Sequence, residues 1–112
     1  MQGLSFQGQL EGLILAVLGQ RPLHGYAIAV ELRERSGGLL DVPEGTLYPV
    51  LHKLEKEGMI RSRWEVVGGR RRRVYVPSAR GGRAVQERFE SWKRLSRAID
   101  SVFVSAPEGA ND

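Results

Sequence analysis

The stretch from Gly45 to Arg73 constrains this chain most: an amphipathic helix runs into a strand, a Gly68-Gly69 turn and the run Arg70-Arg71-Arg72-Arg73. Leu47, Val50, Leu51 and Leu54 fall on one side of a helical wheel. Gly45, Pro49, His52 and Lys56 lie opposite, with Thr46, Tyr48 and Lys53 on the flanks. Gly58 supplies a left-handed stop. Beyond it Ile60, Trp64, Val66 and Val67, interspersed with polar residues, read as a partly buried strand with Trp64 in the core of the hairpin. Val74-Tyr75-Val76 is its partner, ended by Pro77. Proline lacks an amide proton and is comfortable only in a first helical turn. Either Thr46 is the N-cap of this helix, or the helix begins nearer Pro43 and gives up one backbone bond at Pro49.

Upstream, Leu10, Leu13, Ile14, Val17 and Leu18 recur at helical spacing, and Leu15 and Ala16 widen the stripe until the helix needs covering on more than one side. The segment from Gly19 to Leu23, with Pro22, is a break. His24 or Gly25 then opens a second helix carrying Tyr26, Ile28, Ala29 and Leu32, which Ser36-Gly37-Gly38 ends. The connection from Leu39 to Val42 is expected to tuck its two leucines under the neighbouring helices. After the hairpin, Ser78 is placed as the N-cap of a long last helix reaching about Val104, starting there or only after Gly81-Gly82. Val85, Phe89, Trp92, Leu95, Ile99, Val102 and Phe103 are spaced by threes and fours along it, a seam that seeks a partner.

The order is helix, helix, helix, strand, strand, helix. That makes a mainly α fold with a small β-hairpin: a winged helix-turn-helix over residues 1–77, a C-terminal dimerisation helix over 78–104 and a flexible tail over 105–112. At 112 residues the chain is one small domain, which gains buried surface by pairing with a second copy.

The formal charge of +4 attracts polyanions without choosing among them. Its distribution says more: between Arg61 and Arg73 six arginines face one acid, Glu65. Four consecutive like charges repel one another, and a nucleic acid relieves that repulsion better than a solvated turn does. With no cysteine there is no disulfide, thiol nucleophile or thiolate metal site, and two histidines make a poor basis for any other. No carboxylate pair, nucleophile with its base or phosphate loop stands out, so neither a catalytic residue nor a cofactor is assigned and an enzyme is the least favoured class. The apolar run from Leu10 to Leu18 contains Glu11, lacks a basic leader and is too short to span a bilayer; a cytoplasmic protein without a membrane partner is expected.

Four segments in order resemble the successive signatures of PadR-type transcriptional regulators. They are His24-Gly25-Tyr26-Ala27-Ile28, Gly45-Thr46-Leu47-Tyr48-Pro49-Val50-Leu51, Leu54-Glu55-Lys56-Glu57-Gly58-Met59-Ile60 and Ser62-Arg63-Trp64. The likeness covers roughly residues 10 to 103 and is to the smaller subfamily with a single C-terminal helix. It implies a homodimeric winged-helix protein, usually a repressor, whose last helix packs on the partner's first and last helices. Four arginines in the wing and Val76-Pro77-Ser78 after it depart from the family's pattern.

On this reading double-stranded DNA is the partner. Thr46, Tyr48, Pro49, His52 and Lys53 are the candidates for base discrimination in a major groove, with Lys53 going to a phosphate or a guanine. Arg70, Arg71, Arg72 and Arg73 are candidates for phosphate or minor-groove contacts. His24 and Tyr26 join the DNA-contact set, His24 also being expected to cap or meet backbone. Leu10, Ile14 and Val17 on the first helix are assigned to a dimer interface with Val85, Phe89, Trp92, Leu95, Ile99, Val102 and Phe103 on the last. Trp92 is weighed as a shelf for a small aromatic effector against the plainer role of packing. A winged helix used only to bind other proteins is the alternative.

Overall fold

A computed structural model of the chain describes residues 6–105. The element order is α1 (Phe6–Leu18), β1 (Leu23–His24), α2 (Gly25–Arg35), α3 (Glu44–Lys56), β2 (Ile60–Val67), β3 (Arg70–Pro77) and α4 (Ala79–Ser105). Ser105, expected to open the tail, is helical; residues 106–112, the rest of the expected tail, lie outside the described residues.

The core forms where α1, α2, α3 and the root of the sheet meet. Leu10, Ile14, Leu15, Leu18, Ile28, Leu47, Leu51, Leu54 and Ile60 are all essentially inaccessible. The apolar side assigned to α3 is the buried side: Leu47, Val50, Leu51 and Leu54. Leu10, Ile14 and Val17, assigned to a dimer interface, are buried within this one chain. They are corrected to core. The stripe on α1 is wide because α3 and α4 cover it on different sides.

Helix α3 starts at Glu44, so Thr46 is not its N-cap. Pro43, at φ −69° and ψ 155°, occupies that position, and its carbonyl accepts from Thr46 N at 2.9 Å and Leu47 N at 3.0 Å. Pro49 sits inside the helix, in its second turn. The carbonyl it leaves unpaired belongs to Gly45, an exposed residue that solvent can serve. The far end closes on Gly58 at φ 76°: Met59 N reaches Leu54 O at 2.9 Å and Gly58 N reaches Glu55 O at 3.1 Å, a Schellman stop.

The sheet has three strands in the order β1-β3-β2, all antiparallel, rather than the two expected. Leu23 pairs with Tyr75 and His24 with Val74. Gly68 and Gly69 both have positive φ, 59° and 78°, and alone form the two-residue turn, so Arg70 to Arg73 are not a tip. They begin β3 and alternate between its two faces.

Ser78 caps α4. Its hydroxyl accepts from Gly81 N at 3.1 Å while its own N–H donates to Met59 O at 2.9 Å. The helix then runs straight through Gly81 and Gly82 for 27 residues, about 40 Å at about 1.5 Å per residue. Its last turns project from the body, which accounts for extents of 62 × 27 × 22 Å. The connection between α2 and α3 departs from expectation: Val42 is buried and Leu40 partly so, but Leu39 is 88% exposed.

Candidate nucleic-acid interface

The outward side of α3 presents Thr46, Tyr48, Pro49, His52 and Lys56, all exposed. Tyr48 is held from behind by the start of α2. A Cβ on Gly25 would fall 2.6 Å from its hydroxyl, so only glycine lets the ring lie there. His24 occupies the N-cap position of α2, but its side chain makes no capping bond; its ring stacks on Tyr26 with centroids 6.4 Å apart and planes at 20°. Burial, and then the nearby Arg72 guanidinium, holds the imidazole below its ordinary pKa. His24, Tyr26 and Tyr48 thus form one aromatic edge beside the front of α3.

Register divides the four arginines. Trp64 lies opposite Arg73 and Val66 opposite Arg71, so these four share a face, and Arg70 and Arg72 take the other. Arg71 stands 4.6 Å from the Trp64 ring centroid and Arg73 5.7 Å from it, both within cation–π range. Trp64 is 53% exposed and Val66 74%. The expectation that Trp64 forms wing core fails: it lies on β2, an edge strand, and is left about half exposed. The indole instead braces two guanidinium groups.

The wing is latched to α3 by residues that sequence reasoning passed over. Glu55 Oε2 accepts from Ser62 Oγ at 2.5 Å and from Arg73 at 3.4 Å, and Arg73 Nε donates to the same serine hydroxyl at 2.8 Å. Arg73 is therefore partly engaged by Glu55 although its side chain is 47% exposed. Among the described residues Arg61, Arg70, Arg71 and Arg72 have no carboxylate partner within salt-bridge distance, while Arg63 is paired with Glu65. The free positive charge of the wing resides in these four.

Lys53 stands apart from the other α3 candidates. It turns toward α1, with Nζ 2.5 Å from Oε2 of Glu11, a carboxylate on a residue only 3% exposed. The hydrogen bond and attraction of Glu11 raise its pKa. The one signal for this arrangement in the sequence is a lone acid in an otherwise apolar helix.

On α4, Phe89, Trp92, Ile99, Val102 and Phe103 are 43–77% exposed, and Val85 and Leu95 are partly covered. The seam is uncovered in the single chain. Beside its first half lies a largely apolar groove of about 900 Å³ between α1, α4 and the α2–α3 connection, lined in part by Leu13, Ala16, Leu39, Phe89 and Trp92. Among the described residues no cluster of His, Asp and Glu could hold a metal ion, and no helix is long and apolar enough to cross a membrane.

The fold of helices and wing is shared with known proteins. The family described as "Transcriptional regulator PadR-like family" matches residues 14–87. The chain belongs to the PadR-like family. It is similar to the transcriptional regulator Rv3488 of Mycobacterium tuberculosis, 38% identical over 86 residues covering 77% of this chain and 78% of that one. Among solved structures it is similar to a transcriptional regulator from Clostridium thermocellum, with TM-score 0.78 and 27% identity over 85% of this chain and 93% of the other. A PadR-like transcriptional regulator from Bacillus cereus gives TM-score 0.77 and 28% identity over 92% and 97%. PadR-like proteins are DNA-binding transcriptional regulators rather than enzymes, which assigns this chain its broad function and bears out the resemblance carried by the four sequence segments.

Proposed function

We propose that this PadR-like regulator acts as a homodimeric repressor that reads an inverted-repeat operator and responds to a small aromatic ligand. The observation that carries the reading is the latch: Glu55, Ser62 and Arg73 fasten an arginine-bearing wing to the helix whose exposed side offers Thr46, Tyr48, Pro49 and His52. One protomer can then place α3 in a major groove and set the wing on neighbouring phosphates or in the minor groove. Hydroxyl, apolar and imidazole groups on α3 supply base discrimination, while Arg70, Arg71 and Arg72 supply affinity that falls with salt. His24 and Tyr26 flank this surface as further contacts.

Dimerisation through α4 is supported by its uncovered seam, whose exposed Phe89, Trp92, Ile99, Val102 and Phe103 a second copy would bury. Two copies related by a two-fold axis present their α3 helices about 34–36 Å apart and so favour a palindromic site. A flat aromatic molecule in the groove beside Trp92 would lie between α1 and α4 and alter the angle between the two reading units. Residues 1–77 form the reading unit, 78–104 the dimerisation helix, and the protein works in the cytoplasm, where its operator is. A role confined to protein binding accounts poorly for four arginines without carboxylate partners on the wing.

Sedimentation velocity tests this reading. The free protein is expected to run as a dimer, to bind a duplex as two copies, and to lose both properties together in Phe103→Glu. A monomer that binds duplex one copy at a time would overturn the dimeric part, and absence of duplex binding would overturn the whole.

A further inference from the structure

Glu11 is the one buried charged residue among the described residues, and both of its oxygens are in use. Oε2 takes Lys53 of α3 at 2.5 Å and Oε1 takes Arg88 of α4 at 2.8 Å. Arg88 also donates to the carbonyl of Gly8 at 2.7 Å. Its stem lies over α1 at Gly12, where a Cβ would come within 3.2 Å of Arg88 Cδ. A carboxylate taken out of water is tolerated only with such partners, and its removal leaves the cations without compensation. Lys53 has a second, looser neighbour in Glu57, 3.9 Å away. The lysine on the recognition helix is thus neutralised from within.

We propose that Glu11 is a positioning residue for DNA binding, one that holds Lys53 against α1 and withholds it from the phosphate backbone. The inference rests on the DNA-reading role argued above and adds to it which cations of this chain the duplex meets. A lysine flanking a recognition helix would ordinarily go to a phosphate. Here a phosphate must compete for a half-exposed lysine with a carboxylate already at 2.5 Å, whose own side chain is only 4% exposed and therefore less screened by salt than a surface carboxylate. Arg70, Arg71 and Arg72 have no such competitor.

Salt dependence separates the two uses of Lys53, because each phosphate neutralised adds about 0.9 to the slope of log affinity against log salt. The test measures binding of the full chain to a labelled random-sequence duplex by fluorescence anisotropy between about 50 and 200 mM salt, the range over which such slopes are commonly read. Lys53→Met is expected to leave the slope unchanged. Glu11→Gln is expected to steepen it by as much as about 0.9 per copy as Lys53 is released, and the double variant to restore the wild-type slope.

A Glu11 of purely structural value would lower the melting temperature in Glu11→Gln without steepening the slope, and that result in a folded variant overturns the proposal. So does a Lys53→Met slope flatter by about 0.9 per copy. Should Glu11→Gln fail to fold, Lys53→Met decides alone, since Arg88 still pairs Glu11 in that variant. A wild-type chain that binds no duplex overturns the DNA-reading role itself, an outcome distinct from either.

Discussion

Gly81 and Gly82 are adjacent, both helical, and should respond in opposite directions to the same substitution. A Cβ at Gly81 would collide with the carbonyl oxygen of Met59 and lie 3.0 Å from its carbon and 3.3 Å from Leu15 Cδ2; a Cβ at Gly82 meets nothing within 4 Å. The Met59 carbonyl cannot easily retreat. Ser78 N donates to it at 2.9 Å, and the Ser78 hydroxyl, which donates to the neighbouring Gly58 carbonyl at 2.6 Å, caps α4, so moving the carbonyl disturbs the start of the helix. Overpacking of this kind costs about 1–3 kcal/mol, and weakening the Ser78 N–H bond to Met59 adds about 1 kcal/mol. Exchanging glycine for alanine in a helix returns about 1 kcal/mol. Gly81→Ala should therefore destabilise by about 1–3 kcal/mol and Gly82→Ala stabilise by up to about 1 kcal/mol. Urea unfolding at one fixed protein concentration measures the difference, the concentration being held because association shifts apparent stability. A Gly81→Ala protein as stable as Gly82→Ala would refute the close packing of α4 on the Met59 carbonyl.

The wing arginines should prove unequal: Arg71→Ala is expected to flatten the salt slope of duplex binding by about 0.9 per copy. Arg73→Ala should flatten it less, because Glu55 already takes that charge; equal effects would contradict the latch. Gly25→Ala should push the Tyr48 ring outward, costing about 1–3 kcal/mol in unfolding experiments and shifting sequence preference in duplex selection. His24 has a lowered folded pKa, so the folded state binds its proton less readily than the unfolded chain does. Its contribution is fully present above about pH 6.5 and is lost as pH falls through the folded value. Stability of wild type minus His24→Gln, followed from pH 8 to pH 5, should decline accordingly, and a difference that grows on acidification would contradict the assignment.

Local physics made much of this fold legible in the chain. The buried side of α3, the stop at Gly58, the Gly68-Gly69 turn and the cap at Ser78 each rest on residues within a few positions of one another. What escaped depends on distance in sequence. Leu23 and His24 become a strand only because Val74 and Tyr75 arrive beside them. Lys53 looks like a surface cation until Glu11, 42 residues earlier, is brought to it. Leu10, Ile14 and Val17 form an apolar stripe, but a stripe does not say whether its own chain or a second copy covers it. The candidate interface divides in the same way. Thr46, Tyr48, Pro49 and His52 could be placed by a helical wheel, whereas the sorting of four arginines by strand register, and the spending of Arg73 on Glu55, needed the sheet.

Selection of bound sites from random duplex DNA tests the central claim most directly, that two copies of this chain read DNA in sequence through paired α3 helices. Enrichment of an inverted repeat is expected, its half-sites centred about one helical turn, roughly 10 base pairs, apart. Enrichment of an isolated half-site would contradict the paired arrangement. No enrichment over the starting pool would contradict sequence reading altogether and favour a protein-binding role for the winged helix.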